Sequence, residues 1–341
     1  MVISPQSLLR WAQPKSGAGK PNMHRDSASP LHTHRGPTRR NPGRIALAIS
    51  LILLGFLLRP LFEPAAAADR HAPQAHPANV VGDLQREVQA IATRRLATGM
   101  AQVAVVYQNL STGEEFQLGD KLLFNPASML KLPAAVAWLR YVERQPQAQA
   151  QLLRFTMTAV RESYTDPHAL QVGQSYMPTD MLERMIRWSR NDAKALLVSA
   201  LPPHALAETY ELLGLNPEQA VMQDDPAVTV GQMAGLFTAL QAGRVLEPKD
   251  TSYLLDMLAQ TDFEYGLRAG LPPQTRLAHK WGRRVHLDGP KNERVQLHDC
   301  GIVERSGAPF LLCVMTRGDS DSECRATIAE IAAAAWNWPA L

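Results

Sequence analysis

Residues 101–110 read AQVAVVYQNL and residues 309–316 read PFLLCVMT, two β-rich runs that frame a long helical middle. Runs so dense in Val, Tyr, Phe and Thr suit a pleated, half-buried surface. The first is followed by the turn residues Ser111-Thr112-Gly113 and a short strand through Phe116 and Leu118, which makes a hairpin. The second is preceded by two further β patterns, Arg276–Arg284 and Arg294–Glu304. Between the two sets, from Ser128 to about Gln260, helical patterns alternate with short breaks at Pro, Gly and Asn. Asn79–Thr98 carries Val81, Leu84, Val88, Ile91 and Leu96 at helical spacing, and Cys324–Trp336 is an Ala-rich closing helix. Strands at both ends around a helical insertion predict an α+β fold. It has one five-stranded antiparallel sheet, the terminal helices on one face, and an all-helical subdomain over about 128–260 beside it.

The 341 residues are 45% apolar and 20% charged, with 21 Gly, which excludes wholesale disorder, a collagen-like repeat and a disulfide-stapled miniprotein. The formal net charge of +3 conceals two halves of opposite sign. Residues 1–44 hold eight Lys/Arg against one acid, whereas residues 69–341 hold 26 against 30. The Arg residues are dispersed, so no nucleic-acid footprint is present. Ile45–Leu58, IALAISLILLGFLL, is uncharged, fits the apolar region of an export signal, and falls short of the ~20 residues that span a bilayer. Arg59, Pro60 and Glu63 interrupt it before the small residues Ala65–Ala68. Residues 1–68 therefore read as a basic region plus a signal peptide cleaved near Ala68, or as an anchor retained through residues 45–58, with translation starting at Met1 or Met23. Either way the working domain, 69–341, is expected in the periplasm or outside the cell, and any membrane attachment is through that anchor alone.

Three short motifs carry chemistry. In Ser128-Met129-Leu130-Lys131, the preceding Asn125-Pro126 and the following Leu132, Ala135, Val136 and Leu139 place the serine at the first turn of a buried helix. A spacing of three puts serine and lysine on one face, and a helix N-terminus favours developing negative charge. Ser189-Arg190-Asn191 falls in a loop between the helices Thr179–Trp188 and Asp192–Ala200, where Ser and Asn side chains can enter a cleft. Lys280-Trp281-Gly282 lies in a strand, where a lysine can hold a carboxylate and a glycine lets a ligand backbone run along an edge. Lys15-Ser16-Gly17 matches the third pattern equally well but precedes the other two within the leader. The ten histidines form no H-E-x-x-H or H-x-H-x-D, His279 and His298 read as core or edge residues, and Gly17–Lys20 is followed by Pro21 with no strand before it. No metal or cofactor is predicted.

In this order the motifs resemble those of the class A β-lactamases, within the penicillin-recognising serine hydrolases. The 61-residue step from Ser128 to Ser189 and the strand Leu297-His298-Asp299-Cys300-Gly301-Ile302-Val303 add to the likeness. The resemblance implies the β-lactamase/transpeptidase-like fold and an acyl-enzyme formed at Ser128, with Lys131 as base or proton relay. It implies that Ser189 passes a proton to the leaving nitrogen, Asn191 holds the substrate's side-chain amide and Lys131, and Lys280 binds the substrate carboxylate beside Gly282. The backbone N–H groups of Ser128 and Arg283 would form the oxyanion hole, and Tyr164 would line the cleft mouth. The implied partner is a β-lactam or a cell-wall peptide-like amide or ester, bound by a monomer. A D,D-peptidase-like enzyme of peptidoglycan and a weakly active cell-wall binding protein are the alternatives.

Three departures accompany the likeness. Arg190 and Trp281 stand where the family has Asp and Thr, and no Glu-x-x-x-Asn follows the helical block to activate a deacylating water. Slow deacylation is implied. Asp224 and Asp225, in the short loop Asn216–Val228, either substitute for that Glu or simply form a turn. Trp281 and Arg283 are expected to crowd the slot for a β-lactam carboxylate.

Three cysteines remain beyond the leader, Cys300, Cys313 and Cys324. A hairpin centred between Ser306 and Gly307 sets residues 300 and 313 directly opposite on one face. Two outcomes stand, a cross-strand disulfide and two small buried residues that touch.

Overall fold

In the computed structural model, residues 80–339 are described apart from 157–165, 219–225 and 288–292. Helix α1 (Val80–Leu96) buries Val81, Leu84, Val88 and Ile91, the stripe read from their spacing. Strand β1 (Met100–Asn109) turns into β2 (Glu115–Leu118) where Asn109 Oδ1 accepts the backbone N–H groups of Ser111 at 2.8 Å and Thr112 at 3.1 Å. After the helical middle come β5 (Leu277–Leu287), β6 (Glu293–Val303) and β7 (Phe310–Gly318). The five strands form one antiparallel sheet in the order β2-β1-β7-β6-β5. The two ends of the chain thus meet at β1 and β7, as expected, and β5 is left at an edge.

Alternation along the strands divides the core between two faces. Ala104, Val106, Cys300, Ile302, Leu311, Cys313 and Met315 pack toward the middle helices, while Val103, Val105, Leu297, Leu312 and Val314 pack toward α1 and α8 (Asp321–Asn337). Helix α8 begins three residues earlier than its apolar pattern, because Ser320 caps it by accepting the Glu323 N–H at 3.2 Å and its first turn is acidic.

The middle comprises α2 (Lys131–Arg144), α3 (Pro178–Ile186), α4 (Asn191–Ser199), α5 (Ala205–Leu212), α6 (Val230–Gln241) and α7 (Pro248–Leu258). Every residue of α2 from Lys131 to Leu139 is buried, so this helix is the axis of the block. The expected all-helical character needs correction. β3 (Leu153–Arg154) pairs with β4 (Ser175–Tyr176), and strands of two residues are too short to show a period-2 signal. The leader with Ile45–Leu58, Tyr164, Asp224 and Asp225 lie outside the described residues. Among the described residues, no helix is long and apolar enough to cross a membrane.

Cys300 and Cys313 are register partners and are joined by a disulfide. Cys324 is free and buried beneath the opposite face, where burial pushes its thiol up to about 11. Thiol titration of protein recovered from an oxidising compartment, denatured and unreduced, is expected to find one reactive thiol; three would refute the bridge.

Candidate active site

The Ser128 turn is anchored from behind by β6. The Asn125 backbone N–H donates to Gln296 Oε1 at 2.9 Å, and His298 Nε2 donates to the Asn125 carbonyl at 2.9 Å. Burial pushes the His298 imidazole down to about 4, so the ring is neutral at pH 7, and its Nδ1 accepts the Thr316 N–H at 3.2 Å. Asn125 Oδ1 in turn accepts the Ala127 N–H at 2.9 Å, and Ala127 takes a left-handed backbone with φ 49°. Ser128 sits in the 3₁₀ turn that follows, Ala127–Leu130, rather than inside the α-helix that its spacing predicts. Helix α2 starts at Lys131, so serine and lysine still share a face.

Lys131 is only 1% exposed, and its three donors are all engaged. Nζ donates to Ser128 Oγ at 2.8 Å, to Ser189 Oγ at 3.2 Å, and to the Ser189 carbonyl. Ser189 lies between α3 and α4 with a left-handed φ of 55°. On its far side Lys280 Nζ, on β5, donates to Ser189 Oγ at 3.0 Å and to the Trp281 carbonyl at 3.2 Å. Lys280 is fully buried, and desolvation pushes its amine down to about 7 against the opposing charge of Asp299. A continuous hydrogen-bonded chain therefore runs Ser128–Lys131–Ser189–Lys280, drawing on three segments of sequence.

Gly282 is required by close approach. A Cβ there would lie 2.7 Å from the Pro126 carbonyl oxygen and 3.0 Å from Met129 Cγ, so the glycine lets edge strand β5 close directly on the Ser128 turn. Asn191 is the exposed first residue of α4 rather than part of a loop; helical backbone begins one residue before its apolar pattern does.

Residues 83–338 match the model of the Beta-lactamase enzyme family. The chain belongs to that family. A β-lactamase from Streptomyces cellulosae is 27% identical over 307 residues, covering 84% of this chain and 92% of its own. Two solved structures share the fold. A mutant of PBP-A, as its acyl-enzyme complex with penicillin G, is 21% identical with a TM-score of 0.63, covering 75% of this chain and 96% of its own. TLA-3, an extended-spectrum β-lactamase, is 16% identical with a TM-score of 0.65, covering 76% and 98%.

In this β-lactamase-like serine hydrolase, two side chains expected to obstruct the cleft are turned away from it. Strand parity puts Lys280 and Gly282 on the face that meets Ser128, and Trp281 and Arg283 on the face toward α8. Trp281 stacks on Phe263 with ring centroids 4.3 Å apart, and Arg283 Nε donates to Asp321 Oδ1 at 2.7 Å. The predicted crowding by Trp281 and Arg283 is therefore corrected. The other substituted position, Arg190, is buried and pairs with Asp192 and Asp166, each through an N–O contact of 2.7 Å. Its role was not read from sequence, where only the neighbouring Asp192 hinted at a partner. The buried pair His279 Nδ1 and Asp299 Oδ1, 2.8 Å apart, was also unread; Asp299 Oδ2 further accepts the Leu267 N–H at 2.9 Å.

Proposed function

We propose that this β-lactamase-like serine hydrolase is an exported acyl-transfer enzyme that opens β-lactams or related amides and esters through an acyl-enzyme at Ser128, and that releases the acyl group slowly. The observation that carries the reading is the hydrogen-bonded chain Ser128–Lys131–Ser189–Lys280. With Lys131 as an unprotonated amine that donates only toward Ser189, Ser128 Oγ bonds to the substrate carbonyl carbon as its proton passes to the Lys131 nitrogen 2.8 Å away, giving a tetrahedral oxyanion. The backbone N–H groups of Ser128 and Arg283 are assigned to that oxyanion, an interaction of the kind that usually supplies the largest single contribution. The C–N bond then breaks, and the leaving nitrogen takes the hydroxyl proton of Ser189, which a lysine on either side replaces. With its amine near neutrality in pKa, Lys280 can share in that replacement as well as hold a substrate carboxylate. The resemblance assigns Asn191 to the substrate's side-chain amide, and Tyr164, which lies outside the described residues, to the cleft mouth.

Slow release is supported by the missing Glu-x-x-x-Asn. After incubation with penicillin G, intact-protein mass spectrometry is expected to show an adduct on Ser128 that persists for minutes or longer. Rapid steady-state hydrolysis of nitrocefin would overturn slow release and direct mutagenesis to Asp224 and Asp225. Labelling by a fluorophosphonate alone would favour a peptide or ester substrate of the D,D-peptidase kind, and no labelling a binding protein. Export rests on the uncharged run Ile45–Leu58 followed by Ala65–Ala68, with residues 69–341 as the working domain.

A further inference from the structure

Ser189 does its proposed work only if its hydroxyl stays between two lysine nitrogens, 3.2 Å from Lys131 Nζ and 3.0 Å from Lys280 Nζ. Its backbone is left-handed, a conformation that an L-residue other than glycine keeps only when its surroundings impose it. Both neighbours of Ser189 are pinned, and by one and the same segment, Asp166–Leu170.

On the N-terminal side, the Trp188 indole stacks on the His168 ring with centroids 3.7 Å apart and planes 8° from parallel, and its Nε1 donates to Asp262 Oδ2 at 2.5 Å. On the C-terminal side, the Arg190 guanidinium forks. Nη2 and Nε donate to the two oxygens of Asp192 at 2.7 and 3.2 Å, and Nη1 donates to Asp166 Oδ2 at 2.7 Å. Asp192 also accepts the Leu170 N–H at 2.9 Å and the Ala193 N–H at 2.7 Å. The Arg190 backbone N–H reaches the Arg184 carbonyl at 3.0 Å, which ties the same residue to α3. Burial works to raise the Asp192 pKa, but Arg190 and the two backbone donors outweigh it and hold the carboxyl below its ordinary range. Only a planar, multidentate cation can meet two carboxylates at once in this way.

We infer that Arg190 is a positioning residue for proton delivery at Ser189, acting through a clamp in which Asp166–Leu170 grips Trp188 and Arg190 on either side of that serine. The inference rests on the acyl-enzyme reading of Ser128, and it separates the leaving group from the nucleophile. A lactam nitrogen must be protonated as its C–N bond breaks, whereas fluoride departs from a fluorophosphonate as an anion and needs no proton from Ser189. Damage to the clamp should therefore slow one reagent and spare the other, which a general loss of structure would not do.

The experiment uses the full chain as wild type, Arg190→Gln, Arg190→Lys and Asp166→Asn, with penicillin G and a fluorophosphonate as probes, adduct formation followed by mass and folding by thermal melts. Arg190→Gln is expected to slow penicillin acylation about 10- to 100-fold relative to fluorophosphonate labelling, the scale of a misplacement near 1 Å. Arg190→Lys should recover part of the loss. Asp166→Asn, which removes one arm of the clamp at a carboxylate 34% exposed, should shift the ratio in the same direction by less. If Arg190→Gln does not fold, Asp166→Asn decides alone. A ratio of the two rates unchanged from wild type in the folded variants overturns the inference. Wild type labelled by neither reagent overturns the Ser128 reading and the inference with it. Wild type labelled by the fluorophosphonate and never by penicillin G leaves the Ser128 reading standing and overturns the leaving-nitrogen role of Ser189.

Discussion

Replacing Ser128 by alanine is expected to abolish covalent labelling by penicillin G and by fluorophosphonates while leaving the protein folded. The loss is total because Ser189, the other hydroxyl of the hydrogen-bonded chain, is not free to take over. Ser189 Oγ is already shared by Lys131 and Lys280, and its carbonyl is held by Lys131 too, so it stays at the relay position. Stability should move little. Ser128 contributes one hydrogen bond, with Lys131 Nζ at 2.8 Å, and that nitrogen keeps its two acceptors on Ser189 in the variant. A neutral change or a loss of about 1 kcal/mol is the scale of one such bond. Mass spectrometry beside a thermal melt checks both halves of the statement. Labelling that survives in a folded Ser128→Ala protein would refute the nucleophile assignment.

The sheet was legible because its strands carry the β-branched and aromatic residues that a pleated surface selects, and because the break into helical spacing at Ser128 is sharp. Even the register could be read at one point. The turn around Ser306 and Gly307 admits one symmetric pairing, and it brings Cys300 opposite Cys313 as found. The pair β3–β4 was not legible, since two residues cannot display alternation. Trp281 shows a signal present but unused. Residues 280 and 281 of one strand point to opposite faces, so a lysine that enters the cleft already directs the tryptophan out of it.

Arg190 shows the opposite case. Its own neighbour Asp192 is visible two residues on, but Asp166 lies 24 residues upstream, and only the fold brings that second carboxylate to the guanidinium. Where the family carries an acid, this chain carries a base with acids supplied from around it, so the charge is inverted and the ionic character of the site is retained. Motif by motif, that substitution is only a departure. Its contacts to Asp192 and Asp166 support the inferred clamp beside the same serine.

Lys131→Met provides the complementary test, since it acts on the nucleophile instead of the leaving group. The thioether matches the lysine stem in volume, so the apolar surroundings of α2 stay filled and no cavity opens. Two effects on stability oppose each other: a buried polar amine is removed, which relieves desolvation, and the Ser189 carbonyl loses its donor at a cost of about 1–3 kcal/mol. The melt should therefore change modestly. Acylation should not. Without an amine at 2.8 Å, Ser128 Oγ has no acceptor for its proton, and removing a general base typically costs about 10²- to 10⁴-fold. Both reagents must first be attacked by that oxygen, so penicillin G and the fluorophosphonate are expected to slow together. Labelling at the wild-type rate would demote Lys131 to a structural role, and slowing of penicillin G alone would move its work from the nucleophile to the leaving nitrogen.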